Sequence, residues 1–151
     1  MIEKRIKLII DSNPEDVQLV SIVINRLCTL GQLTDLEIFH IELAVVESVN
    51  NVIRHAYNNE CGHKVGIIFT LYANRVTFDV CDVGRTMDDK YKNRADKSPL
   101  EFDPTKLNML PERGLGLAII REVMDDVAYS SCHDKNTLTL TKRFIVRDTR
   151  R

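Results

Sequence analysis

Between Val65 and Val80 the chain alternates apolar and polar residues twice, at Val65, Ile67, Phe69 and Leu71 and again at Val76, Phe78 and Val80. A two-residue period puts the apolar side chains of a strand on one face, and the break at Asn74 lets the second run fold back on the first. The pair predicts an antiparallel hairpin with one buried face. Such a face must be covered, so the rest of the chain has to supply a second layer.

Helical segments flank the hairpin. Asn13 is a helix cap with Pro14 in the first position, where a missing N–H costs nothing; Val17, Val20, Ile24 and Leu27 follow at helical spacing until Gly31. A second helix starts at Thr34, with Glu37 completing a capping box, and is expected to reach about Tyr57, before Asn58 and Asn59. Its expected buried stripe is Leu36, Phe39, Leu43, Val46 and Ile53. Gly114 and Gly116 open a third helix with Leu117, Ile120 and Val123 as apolar positions. Further strands are expected over 6–10, 127–130 and 137–144. The whole predicts one domain over 1–151, an α+β two-layer sandwich with helices on one face of a mainly antiparallel mixed sheet. Residues 87–113, with Pro99, Pro104 and Pro111 among many charges, follow neither period and are expected to form a lid.

A net charge of −1 argues against a broad nucleic-acid surface. Cys28, Cys61, Cys81 and Cys132 form no C-x-x-C pair, so unpaired thiols in a reduced compartment are expected. With no signal peptide and no apolar run long enough to cross a bilayer, the expected location is the cytoplasm, without membrane attachment.

Three motifs carry the chemistry. In the second helix Glu47, Asn51 and His55 sit four residues apart, with Arg54 beside them. Alone the stripe is a solvated helix face; a carboxylate and an amide one turn apart can also hold a base and a hard cation together. Asp82-Val83-Gly84-Arg85-Thr86-Met87-Asp88 ends a strand, where Gly84 permits a tight turn or a close approach and Asp82 can accept from an exocyclic amino group. Arg113-Gly114-Leu115-Gly116-Leu117 leads into a helix whose first N–H groups and dipole favour a phosphate. It matches neither the dinucleotide fingerprint nor a Walker A loop.

Taken in order, Glu47-x-x-x-Asn51, Asp82-x-Gly84 and Gly114-x-Gly116 resemble the N, G1 and G2 boxes of the GHKL (histidine-kinase-like, Bergerat-fold) ATP-binding superfamily. The stretch from Glu47 through Arg54-His55-Ala56-Tyr57 is most similar to bacterial anti-sigma factors that are serine/threonine protein kinases. Met124-Asp125-Asp126-Val127 and Asn136-Thr137-Leu138 leading to Lys142 also look like theirs. The resemblance implies ATP and Mg2+ as cofactors, Glu47 as general base and Asn51 as the magnesium ligand. It also implies an adenine pocket of Asp82, Gly84, Thr86 and Asn136. Arg54, Arg113, Gly114, Leu115, Gly116 and Leu117 would complete the nucleotide-binding set. The implied partners are a STAS-domain anti-anti-sigma protein phosphorylated on Ser or Thr, a sequestered sigma factor, and a second copy of the chain, joined near the N-terminal sheet edge. Thr86 stands where the family carries a second glycine, and a β-branched residue does not readily take glycine's conformations. That departure leaves open a nucleotide-gated binding module without catalysis. A kinase of the same chemistry acting on a non-sigma target is a further alternative.

Overall fold

The computed structural model describes residues 3–88 and 115–148. Strands β1 (Lys4–Asp11), β2 (Lys64–Leu71), β3 (Arg75–Asp82), β4 (Asp126–Cys132) and β5 (Lys135–Arg143) form one sheet in the order β1-β2-β3-β5-β4. Every neighbouring pair is antiparallel, so the expected mixture includes no parallel ladder among the described residues. The predicted hairpin is β2–β3, with Phe69 opposite Phe78 and their rings tilted at 5.4 Å. Such a pair adds about 0.5–1.5 kcal/mol beyond area burial. The β4–β5 connection turns through His133 and Asp134, both at positive φ, as a two-residue hairpin turn requires.

Among the described residues three helices cover the apolar face. Asn13 accepts a hydrogen bond from the Glu15 N–H at 3.1 Å, opening a 3-10 turn (Pro14–Asp16) that runs into α1 (Val17–Cys28). The capping box at Thr34 and Glu37 forms as predicted and starts α2 (Asp35–Asn51). Helix α3 (Leu115–Val123) follows the undescribed stretch. Helix α2 lies between α1 and α3 and reaches β3 and β5 beneath it. The core between the layers holds Val20, Ile24, Ile41, Val45, Val49, Ile67, Phe69, Phe78, Ile120 and Leu140, all essentially inaccessible to solvent. The four cysteines are unpaired, as expected. No helix among the described residues is long and apolar enough to cross a membrane.

The stripe expected to bury α2 is corrected. Leu36 and Phe39 are 63% and 59% exposed and Leu43 and Val46 are half-buried, whereas Ile38, Ile41, Val45, Ser48, Val49 and Val52 face the core with Ile53. Ile53 is buried as expected and Val46 packs at the edge of the core. The remaining positions of the two sets are offset by two residues, about 200° around a helix, so both satisfy the same period. Ser48 hid the true face, because a polar residue stands in its middle. Its hydroxyl is buried but donates to the Ala44 carbonyl at 2.7 Å.

Candidate functional site

The first half of the site is built where α2 meets the start of α3. Glu47 and Asn51 lie one turn apart, half-buried, on the stripe flanking the core-facing Ser48 and Val49. Gly116, in the first turn of α3, sits against both: a Cβ there would fall 3.0 Å from Glu47 Oε2 and 3.2 Å from each terminal atom of Asn51. The first four N–H groups of a helix have no intrahelical acceptor, and the dipole there is positive. The fold thus brings a carboxylate, an amide and a helix N-terminus together, from residues about 65 positions apart in sequence.

The second half is built around Asp82, the last residue of β3, 7% exposed. Its Oδ1 accepts from Gly84 N–H at 2.9 Å and from Asn136 Nδ2 at 2.8 Å. Both of these donors fall on Oδ1, so the carboxylate is tied to the protein through one oxygen. Burial pushes the carboxyl above its ordinary pKa, and the bonds from Asn136 and Gly84 draw it back part of the way. Asn136 is 1% exposed on β5; its other N–H donates to the Gly84 carbonyl at 3.0 Å.

A change of helix type links the halves. Beyond Asn51, α2 continues as a π-helical turn (Val52–Ala56), and the Tyr57 N–H reaches back to the Val52 carbonyl. The wider turn leaves the Ile53 carbonyl to the Asn59 N–H. Because the helix ends at Ala56, the carbonyl of that residue has no donor within it and accepts from Arg85 N–H at 2.8 Å. Gly84 must pass so close that a Cβ would lie 2.4 Å from the Ala56 oxygen and 2.9 Å from Tyr57 Cδ1. Glycine is needed here for close approach; Gly84 is not at positive φ. Tyr57, 4% exposed, accepts from Val83 N–H at 3.1 Å and donates to the Lys64 carbonyl at 2.6 Å. Its ring stacks on His63 at 4.5 Å. Burial pushes its hydroxyl pKa up, so it stays a donor. Asn58 and Asn59, both at positive φ, then end the helix.

The structure therefore groups Glu47, Asn51 and Gly116, and separately Asp82, Gly84, Thr86 and Asn136. Thr86 has no positive φ, so the β-branched residue sits without backbone strain. Arg54 is exposed on the π turn and forms no ion pair among the described residues. Leu115 begins α3, and the Leu117 side chain is buried in the core, which leaves only its main chain for a ligand. Arg113 and Gly114, and the lid beyond Asp88, lie outside the described residues. Tyr57 and the Ala56 carbonyl were not singled out as site residues from sequence. The signal available was a tyrosine placed directly before two asparagines at a helix end.

A layer of helices on an antiparallel sheet, with a carboxylate and an amide one helical turn apart, a glycine turn at a strand end and a helix with glycine in its first turn, is the architecture of a nucleotide-binding domain class. The chain belongs to the histidine kinase-like ATPase domain family, whose profile matches residues 10–142. It is similar to the serine-protein kinase RsbW of Bacillus thuringiensis (strain Al Hakam), 33% identical over 113 residues, covering 74% of this chain and 67% of that protein. RsbW of Bacillus anthracis matches to the same extent, and that of Bacillus cereus (strain ZK / E33L) is 32% identical over the same span. A chain in the crystal structure of the SiaB–SiaC complex from Pseudomonas aeruginosa shares the fold, with TM-score 0.59, 13% identity and coverage of 89% of this chain and 87% of that one.

Proposed function

We propose that this chain is an ATP- and magnesium-dependent serine/threonine protein kinase of the anti-sigma type. It would phosphorylate a STAS-domain anti-anti-sigma protein and sequester a sigma factor, acting as a cytoplasmic homodimer. The observation that carries the reading is Gly116 seated against Glu47 and Asn51, because it joins a proton acceptor and a cation ligand to a helix N-terminus suited to phosphate.

In this reading Asp82 Oδ2 accepts an N–H from the exocyclic amino group of adenine, and Gly84 lets the base approach its turn. Asn51 offers its carbonyl oxygen to magnesium, which suits a hard cation that keeps most of its waters. Gly114, Leu115, Gly116 and Leu117 offer main-chain N–H groups to phosphate oxygens, and Arg113 and Arg54 supply positive charge. ATP with Mg2+ supplies the phosphoryl group and neutralises the charge that moves with it. Glu47 accepts the proton of the substrate hydroxyl. Phosphoryl transfer asks little more than such positioning and charge stabilisation. The backbone at Thr86 is unstrained, which supports a working nucleotide site over a non-catalytic module.

The test incubates the protein with ATP, magnesium and a purified serine-bearing STAS-domain protein, and reads phosphate on the partner by mass spectrometry. The expected result is one phosphoserine or phosphothreonine that Glu47→Gln abolishes. Tight ATP binding with no transfer to any such partner would return the chain to a nucleotide-gated binding module. Co-purification with a sigma factor tests the second arm.

A further inference from the structure

Thr86 stands where the resemblance leads one to expect glycine, and its hydroxyl is engaged. Thr86 Oγ1 lies 3.2 Å from Asn136 Oδ1 and 3.3 Å from Ser131 Oγ. The Asn136 amide can face only one way. Its other neighbours, Asp82 Oδ1 and the Gly84 carbonyl, are acceptors, so both N–H bonds must point to them. The amide oxygen therefore faces Thr86 and needs a donor. A threonine hydroxyl has one proton, so Thr86 donates it to Asn136 and Ser131 donates to Thr86. The segment is held from β4 as well, since the Met87 N–H donates to the Tyr129 hydroxyl at 2.9 Å.

We propose that Thr86 is a positioning residue for the base-reading carboxylate, acting through Asn136. The chain of donors runs from Ser131 to Thr86, to Asn136 and to Asp82 Oδ1, and each bond polarises the next. With Oδ1 saturated from inside the protein, Oδ2 is the oxygen left for the ligand. Asn136, 1% exposed and with its amide engaged on both sides, holds Asp82 rather than touching the base. Without the hydroxyl its buried oxygen has no donor, and the amide, the carboxylate and the Gly84 turn lose their common anchor. A glycine at this position would be a loss of function here. The inference rests on the reading of Asp82 as the adenine acceptor.

The test is calorimetric ATP titration, with magnesium, of the wild-type chain, Thr86→Ser, Thr86→Val, Thr86→Gly and Ser131→Ala, with melting followed in parallel. Thr86→Val keeps the shape without the donor, and its affinity should fall about three- to tenfold, the range one hydrogen bond commands. Thr86→Gly should weaken binding at least as much, although it restores the family's residue. Thr86→Ser should rescue affinity, and Ser131→Ala should lose less than about twofold, being one step further from Asp82. In an Asn136→Ala background Thr86→Val should add nothing, the sign of action through Asn136. Wild-type affinity in Thr86→Val, or a Ser131→Ala loss equal to that of Thr86→Val, overturns the inference while leaving the nucleotide site intact. Absence of ATP binding by the wild-type chain overturns both readings. If Asn136→Ala does not fold, the Ser, Val and Gly series at the exposed Thr86 decides alone.

Discussion

The two glycines of the site are predicted to fail in opposite ways when given a methyl group. At Gly84 the added Cβ meets backbone, 2.4 Å from the Ala56 oxygen and 2.7 Å from its carbonyl carbon. Ordinary contact lies about 1 Å further out, so the turn must move away from the π turn. That motion breaks the Arg85 N–H bond to Ala56, which is 2.8 Å long. Overpacking costs about 1–3 kcal/mol and the lost hydrogen bond about 1 kcal/mol, so Gly84→Ala should destabilise by about 2–4 kcal/mol. For a chain of this size that lowers Tm by about 4–16 °C. At Gly116 the added Cβ meets only side-chain ends, at 3.0 Å and 3.2 Å, which can swing aside. Alanine is also the better helix former by up to about 1 kcal/mol. Gly116→Ala should therefore melt at or above the wild-type temperature. It should still lose at least about tenfold in ATP affinity, because the methyl stands against Glu47 and Asn51. Thermal melts and calorimetry on both variants check this. A Gly84→Ala protein melting within about 2 °C of wild type, or a Gly116→Ala protein that binds ATP normally, would refute the reasoning.

Glu47→Gln should abolish phosphoryl transfer while changing ATP affinity by less than about threefold, since the amide keeps the shape and loses the basicity; a kinase assay beside calorimetry reads the split. For Asp82 the raised pKa means that the folded chain gives up this proton less readily than the unfolded chain, so the ionised residue costs stability at neutral pH. Asp82→Asn should melt above wild type near neutrality, with the gap closing as pH falls toward about 4, and should bind ATP poorly throughout. A melting gap that widens on acidification would contradict that sign. Burial beside Glu42 pushes the Cys28 thiol to a pKa of about 12, whereas Cys61 and Cys132 are exposed. Brief alkylation of the native chain should label Cys61 and Cys132 and spare Cys28, which peptide mass spectrometry reads directly.

Strands and helix starts were legible because each rests on local chemistry. The alternation at 65–71 and 76–80 fixes its own inner face, and Thr34 with Glu37 makes a cap from four residues. The inner face of α2 was not legible, since Leu36 and Phe39 keep the helical period as well as Ile38 and Ile41 do. Only the positions of α1, α3 and the sheet decide between two such stripes, and those positions are tertiary information. The motif residues were found in order along the chain. That Asn136 would hold Asp82 could not be read, because the bond joins residues 54 positions apart through strand register, Asp82 opposite Asn136. The role of Tyr57 is not legible for a related reason: its hydroxyl joins Lys64, at the start of β2, to Val83, beyond β3 and 26 residues from Tyr57.

The two halves of the site are fastened differently, and the difference follows from which atoms do the fastening. Around Asp82 the turn is tied to the end of α2 through the Ala56 carbonyl and the Tyr57 hydroxyl, and to β5 through Asn136. Tyr57 and Asn136 are buried and Ala56 is half-buried, so letting a tie go leaves a polar atom on the inner side without its partner, at about 1–3 kcal/mol. Helix α3 is held mainly by packing of Leu117 and Ile120, and at its far end by the Lys142 ammonium, which donates to the Val123 carbonyl at 2.8 Å. A cation suits that end of the helix dipole, and it leaves the Gly116 end free of any such tie among the described residues. Packing tolerates small sliding better than short hydrogen bonds do. In the proposed reading the hydrogen-bonded half reads the base and the packed half holds phosphate, so a change at the phosphates need not loosen the grip on the base. That asymmetry suits a chain whose proposed reaction turns one nucleotide into another in the same site.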